Sequence, residues 1–203
     1  MDFVKEYINK LKEGLDKLNP SDIERVVDIL LNAWKNNQQI FIIGNGGSAA
    51  IASHLACDLG KGTLKKIYDI TEKRFRVVSL TDNTPLLTAL ANDVTYNNVF
   101  SQQLNNLMVR GDILIAITGS GNSENIVRAV KVAQEKKAVV IGFLGANGGK
   151  VKNMVDYYIL YEDSHYGRIE DSHSILSHLI TCWLREKMRD LKSTGEFFKE
   201  EVK

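Results

Sequence analysis

Gln39-Ile40-Phe41-Ile42-Ile43-Gly44-Asn45-Gly46-Gly47-Ser48 is a short apolar run that passes directly into a glycine-rich turn. Ile40 to Ile43 offer no polar residue to solvent, which is the habit of a strand buried on both faces of a helix-covered parallel sheet. The device recurs at residues 112–123, where Asp112-Ile113-Leu114-Ile115-Ala116-Ile117 leads into Thr118-Gly119-Ser120-Gly121-Asn122-Ser123. Further apolar runs at 75–80, 138–143 and 155–160 alternate with helical stretches. That alternation predicts an α/β class: a doubly wound, five-stranded parallel sheet.

The two turns carry the first functional signal. Glycines let a backbone approach an anion closely, and hydroxyls and free N–H groups at a following helix start suit a phosphate monoester. In a doubly wound sheet both turns fall beyond the carboxyl ends of strands, where ligands bind, so Asn45, Gly46, Gly47 and Ser48 face Thr118, Gly119, Ser120 and Ser123. Neither turn has the Gly-Lys-Ser/Thr of a P-loop, and neither completes a dinucleotide fingerprint. A small phosphorylated ligand is the expectation.

At 203 residues the chain is long enough to bury a core without staples, and residues 1–192 read as one domain. Its 26 basic and 25 acidic residues leave a formal charge of +1, so no overall field favours nucleic acid or a membrane surface, and neither is expected as a partner. Cys57 and Cys182 show neither metal-ligand nor secreted-scaffold spacing. With no leader-like N-terminus and no membrane-length apolar run, a cytoplasmic protein is expected.

Phe3, Val4, Tyr7, Ile8, Leu11, Leu15 and Leu18 recur at helical spacing, and Pro20 stops that helix. Ser21 and Glu24 read as a capping box for a second one. Residues 1–36 are thus an N-terminal helical hairpin whose wide apolar stripe is expected to pack on the body of the domain or, by a small preference, on another subunit. The segment 60–74, with Lys61, Lys65, Lys66, Lys73 and Arg74, is a candidate binding loop, and the charged residues 193–203 are expected to fray.

A second constellation joins two helices. His54 and Asp58 share one helical face, and Glu170 and His178 share another on the long helix read over 167–191. Should the helices meet, two imidazoles and two carboxylates would suit a zinc-like ion or paired acid and base chemistry. From spacing alone an ordinary His-Asp ion pair is the commoner meaning of such a pattern, and His178 by itself reads as a satisfied, partly buried histidine. Asn92-Asp93 reads as a helix stop, and Gly148-Gly149 as a turn.

Taken in order, Gly44-Asn45-Gly46-Gly47-Ser48, His54 with an acid at 58, Asn92-Asp93, Ser120-Gly121-Asn122-Ser123, Gly148-Gly149 and Arg168-Ile169-Glu170 leading through His173 to His178 resemble the sugar isomerase (SIS) domain family. Within it the resemblance is to the bacterial phosphoheptose isomerases. It implies a flavodoxin-like, five-stranded sheet and a homotetramer with sites at subunit interfaces. The implied activity is aldose-ketose isomerisation of a phosphosugar, sedoheptulose 7-phosphate to D-glycero-D-manno-heptose 7-phosphate, which would feed heptose into lipopolysaccharide, capsule or S-layer glycan. The alternative it leaves is a non-catalytic phosphosugar-binding regulator, such as a tetramer that associates with a replication initiator.

The resemblance further implies one Zn2+ per subunit on His54, Asp58, Glu170 and His178, with Asp58 as base and His178 as acid. Substrate contacts fall on Asn45, Gly46, Gly47, Ser48, Asp58, Asn92, Asp93 and Glu170, with the phosphate on Thr118, Gly119, Ser120 and Ser123. Four positions depart from the usual pattern: Asp58 stands for Glu, Glu170 for Gln, Thr118 for Ser, and Gly62 for an Arg whose charge Lys61 would have to supply.

Overall fold

The computed structural model describes residues 2–193. Its elements run α1 (Asp2–Asp16), α2 (Pro20–Lys35), β1 (Gln39–Ile43), α3 (Gly47–Cys57), β2 (Arg76–Ser79), α4 (Thr84–Asp93), α5 (Val99–Leu107), β3 (Ile113–Thr118), α6 (Glu124–Glu135), β4 (Val139–Gly145), β5 (Tyr157–Tyr161) and α7 (Tyr166–Ser193). The strands form one sheet in the order β2-β1-β3-β4-β5, and every neighbouring pair is parallel. The chain goes outward one way from β1 to β2 and the other way from β3 to β5. The order therefore reverses between β1 and β3, where the two glycine-rich turns emerge.

The period-2 alternation of the strands sorts the core into two layers. Ile40, Ile42, Ile113, Ile115 and Ile117 pack under α2, α3 and α7, against Val27, Leu30, Trp34, Leu55, Leu176 and Ile180. Phe41, Ile43, Leu114 and Ala116 point the other way, onto Phe100 and Leu104 of α5 and Ile126 and Val130 of α6. β3 is buried at all six positions, whereas the edge strand β2 leaves Arg76 and Val78 exposed.

The start of α2 departs from the expected capping box. Asn19 is the N-cap, its side-chain oxygen accepting the Ser21 N–H at 3.0 Å, while Ser21 and Glu24 lie inside the helix. Pro20 determines this, because its fixed φ and missing N–H fit the first helical position, which puts the cap at Asn19, two residues before Ser21.

α1 contributes no buried residue. It is tied down by Tyr7, whose hydroxyl donates to Asp171 of α7 at 2.7 Å, and by Tyr161, whose hydroxyl donates to the Leu11 carbonyl at 3.3 Å. Phe3 (72% exposed), Val4 and Ile8 form an apolar stripe covered by no described residue. Cys57 and Cys182 are free and exposed. No helix among the described residues is long and apolar enough to cross a membrane. The expected frayed tail lies, beyond Ser193, outside the described residues.

Candidate active site

The turn after β1 is held open by its glycines. Gly46 adopts φ 55°, ψ −123°, a conformation essentially confined to glycine. At Gly47 a β-carbon would collide with the Glu170 carboxylate, so only hydrogen there lets α7 come this close. α3 begins at this point with no side-chain cap, and α6 begins at Ser123, whose hydroxyl likewise makes no capping bond. Two helix N-termini thus keep free donors at the strand ends.

Asn45, Ser48, Ile117, Thr118, Gly119, Ser120, Ser123, Tyr166 and Glu170 line a pocket of about 140 Å³ there. Thr118 Oγ1 accepts the Gly121 N–H at 3.1 Å, and Ser120 Oγ accepts the Asn122 N–H at 3.2 Å. Each hydroxyl spends a lone pair on its own turn and keeps its proton for a ligand, the polarity an anion requires. Glu170 is the one charge in this lining, and no Lys or Arg, Lys61 included, belongs to it. A larger hollow of about 430 Å³ beside β2, lined by Leu80, Leu86 and Leu107 among others, has no such turn and no histidine.

Further along α3 and α7 lies the second feature. His54 Nε2 is 2.8 Å from His178 Nε2 and 3.2 Å from Asp58 Oδ2, and His178 Nε2 is 3.7 Å from the same oxygen. Ligand atoms of the three residues fall within 4.8 Å of one another. Two imidazoles and a carboxylate converging so closely are a donor set for a divalent cation of the zinc type, which takes nitrogen and oxygen ligands together. The backbone supports this convergence, since α3 passes into a wider π turn at Asp58–Gly62 and Gly62 packs on Thr181, where a β-carbon would lie 3.2 Å from Cγ2.

The expected site residues are therefore distributed over three places. His54, Asp58 and His178 form one group; Asn45, Ser48, Thr118, Gly119, Ser120, Ser123 and Glu170 line the pocket, with Gly46 and Gly47 in its turn. Glu170 stands apart from the histidine cluster, against Gly47. Asn92 and Asp93 close α4, exposed and hydrogen-bonded to each other at 2.8 Å, and do not line the pocket. Three neighbours had no signal in the sequence: Tyr166, which covers Gly119; Asn125, which pairs with Asn45; and Tyr96, whose hydroxyl donates to Asn45 at 2.9 Å.

His173, one turn after Glu170, belongs to the core instead. It is fully buried, neither ring nitrogen makes a hydrogen bond of normal geometry, and burial pushes its pKa down to about 4, an effect the nearby Leu144 carbonyl offsets only in part. Arg168 is a structural anchor, binding Asp163 through Nε and Nη2 at 2.6 Å each. That hydrogen-bonded guanidinium holds the Asp163 carboxyl below its ordinary pKa.

Comparison with known proteins places this geometry. Residues 3–145 match the SIS domain family. Phosphoheptose isomerase of Aquifex aeolicus is 38% identical over 180 residues, spanning 88% of this chain and 91% of that one. The Clostridium acetobutylicum phosphoheptose isomerase is 36% identical over 165 residues, 81% of each chain. The solved structure of phosphoheptose isomerase from Neisseria gonorrhoeae superposes with a TM-score of 0.81 at 31% identity, covering 91% of this chain and 96% of that one. With the family model matched over residues 3–145 and these relatives matched over most of its length, the chain belongs to the SIS domain family and, within it, to the phosphoheptose isomerases.

Proposed function

We propose that the protein isomerises sedoheptulose 7-phosphate to D-glycero-D-manno-heptose 7-phosphate, a precursor of cell-surface glycan, with the phosphate in the hydroxyl-lined pocket and C1 and C2 at the histidine cluster. The observation that carries this is a pair of contacts between α3 and α7: Gly47 against Glu170, and His54 against His178. Both helices advance in the same direction between these contacts, by seven and eight residues. At 1.5 Å per residue, pocket and cluster are therefore about 11 Å apart along the helices, the reach of an open sugar chain carrying its phosphate at the far end.

In this reading Asp58 removes a proton from C1 of the ketose, and His178, when its Nε2 carries a proton and not the ion, donates it to the C2 carbonyl oxygen as an enediol forms. Return of a proton to C2 and loss of the O1 proton yield the aldehyde at C1. Asp58 and His178 both reach one small volume, and both transfers require that. His54, Asp58 and His178 would hold Zn2+, with Glu170 joining only after its side chain leaves Gly47. When bound, the ion would supply electrostatic stabilisation of negative charge on the sugar oxygens.

The reading also assigns Asn92 and Asp93 to substrate and the exposed α1 stripe to a homotetramer. Support for the stripe is its 72% exposed Phe3 beside Val4 and Ile8. An intact His-acid-His cluster favours the enzyme over a non-catalytic regulator. The test is an NMR time course of purified protein with sedoheptulose 7-phosphate, with and without added zinc. Growth of aldose signals is expected; binding without conversion in zinc-replete protein would overturn the assignment.

A further inference from the structure

Asn45 is the residue of the first turn that a ligand would be expected to meet through its side chain, yet that side chain is already engaged. Its Nδ2 donates to Asn125 Oδ1 at 2.9 Å, and its Oδ1 accepts from Asn125 Nδ2 at 2.8 Å and from the Tyr96 hydroxyl at 2.9 Å. Asn125 Oδ1 also accepts the Ile126 N–H at 2.9 Å. The Ile126 N–H also donates to the Ser123 carbonyl at 3.0 Å, and an oxygen rather than an amide NH2 of Asn125 facing it avoids two opposed donors; the reciprocal pair then orients Asn45. Asn125 is 2% exposed and sits in the first turn of α6, while Tyr96, 51% exposed, comes from the connection between α4 and α5.

We propose that Asn125 and Tyr96 are positioning residues that clamp the Asn45 side chain, so that the phosphate is met by the backbone of the first turn and never by the Asn45 amide. The clamp ties together the β1 turn, the first turn of α6 and the connection between α4 and α5. Asn45 precedes the strained Gly46 on the β1 turn, and Asn125 follows Ser123 on the β3 turn, so the amide pair sets the width of the pocket between them. Tyr96 reaches in from outside the core, three residues after Asp93, and gives the clamp a third support. Pocket width governs how well the hydroxyls and turn N–H groups close on an anion. Loosening the clamp therefore weakens ligand capture and leaves the distant histidine cluster intact.

This inference deepens the isomerase reading and is tested partly without it. Inorganic phosphate is titrated by calorimetry into wild type, Asn45→Ala, Asn125→Ala, Tyr96→Phe and the Asn45→Ala/Asn125→Ala double variant. In parallel, KM and kcat are measured with sedoheptulose 7-phosphate. Asn125→Ala should weaken phosphate binding and raise KM by about tenfold, and Tyr96→Phe by about threefold, as loss of two bonds and one bond in a part-buried network would do. kcat of Asn125→Ala and of Tyr96→Phe should hold within about twofold, since the clamp acts on binding. The double variant should bind phosphate no worse than the weaker single variant, because Asn45 and Asn125 work as one unit. Additive losses would show that the Asn45 amide itself touches the ligand and would overturn the proposal, as would unchanged phosphate affinity in Tyr96→Phe. If Asn125→Ala fails to fold, the exposed Tyr96→Phe decides alone. A wild type that binds phosphate but does not isomerise would refute the isomerase reading and leave the clamp to be judged by its phosphate affinities.

Discussion

His54 and His178, 124 residues apart in the chain, meet with their Nε2 atoms 2.8 Å apart and their rings nearly perpendicular, at 86°. As neutral imidazoles they can share only one proton in that contact, one ring donating and the other accepting. A cation between them would engage both lone pairs. Either replacement, His54→Ala or His178→Ala, should lower zinc affinity by more than the roughly 10–100-fold that loss of a supporting partner costs. Competition with a chromophoric chelator measures this directly; zinc affinity unchanged in both variants would exclude the cluster as the metal site.

Asp58 lies beside both imidazoles through the same Oδ2 atom. Asp58→Asn keeps the shape and removes the base, so kcat should fall on the order of 10²–10⁴-fold. Phosphate affinity in the pocket some 11 Å away should be unchanged. Steady-state kinetics and phosphate calorimetry on one preparation separate these effects, and turnover at the wild-type rate would remove Asp58 from the mechanism.

His173 predicts a pH effect on stability. Its folded pKa is near 4 against 6.5 for an exposed imidazole, so between these values the unfolded chain holds a proton that the native chain does not. Stability contributed by this residue is therefore complete above about pH 6.5 and declines as pH falls toward 4, by on the order of 3 kcal/mol at the low end. Urea unfolding of metal-free wild type and His173→Leu at pH 7 and pH 5 reads the difference. The variant should lose less stability than wild type on going to pH 5; equal losses would mean that His173 is protonated in the native state.

Ile8 is 45% exposed on the α1 stripe, one turn from Val4 and near Phe3. If the stripe is an assembly surface, Ile8→Glu places a charge in an apolar contact and should shift the protein from tetramer to smaller species by light scattering, with secondary structure retained. A tetramer that persists in the variant would point to another interface.

Much of this was legible in the sequence, for identifiable reasons. β1 and β3 are unbroken apolar runs ending in glycine, so the strands, their parallel arrangement and the turns beyond them follow from periodicity and punctuation. The pairing of His54 with Asp58 is helical arithmetic. That α3 meets α7 through His54 and His178 is a tertiary fact which local spacing leaves open, and only the family resemblance anticipated it. The parting of Glu170 from that cluster was hidden for the same reason, since it depends on a missing side chain at Gly47. Asn125 and Tyr96 were invisible because an amide pair between two turns leaves no period and no composition bias. The capping box expected at Ser21 and Glu24 gives way to Asn19 because Pro20, which a Ser-Glu pattern leaves out of account, fills the first helical position.

Among the described elements α7 comes last, and it brings both Glu170 and His178. A ribosome that stalls after β5 would release all five strands and both anion turns, yet nothing to complete the cluster begun by His54 and Asp58. Such a product would also lack Tyr166 and Glu170 from the pocket and Leu176 and Ile180 from the core, so that face of the sheet would stay uncovered. One helix thus ties chemistry to folding, and a polypeptide cut short before it would be fuel for proteolysis rather than a partial enzyme.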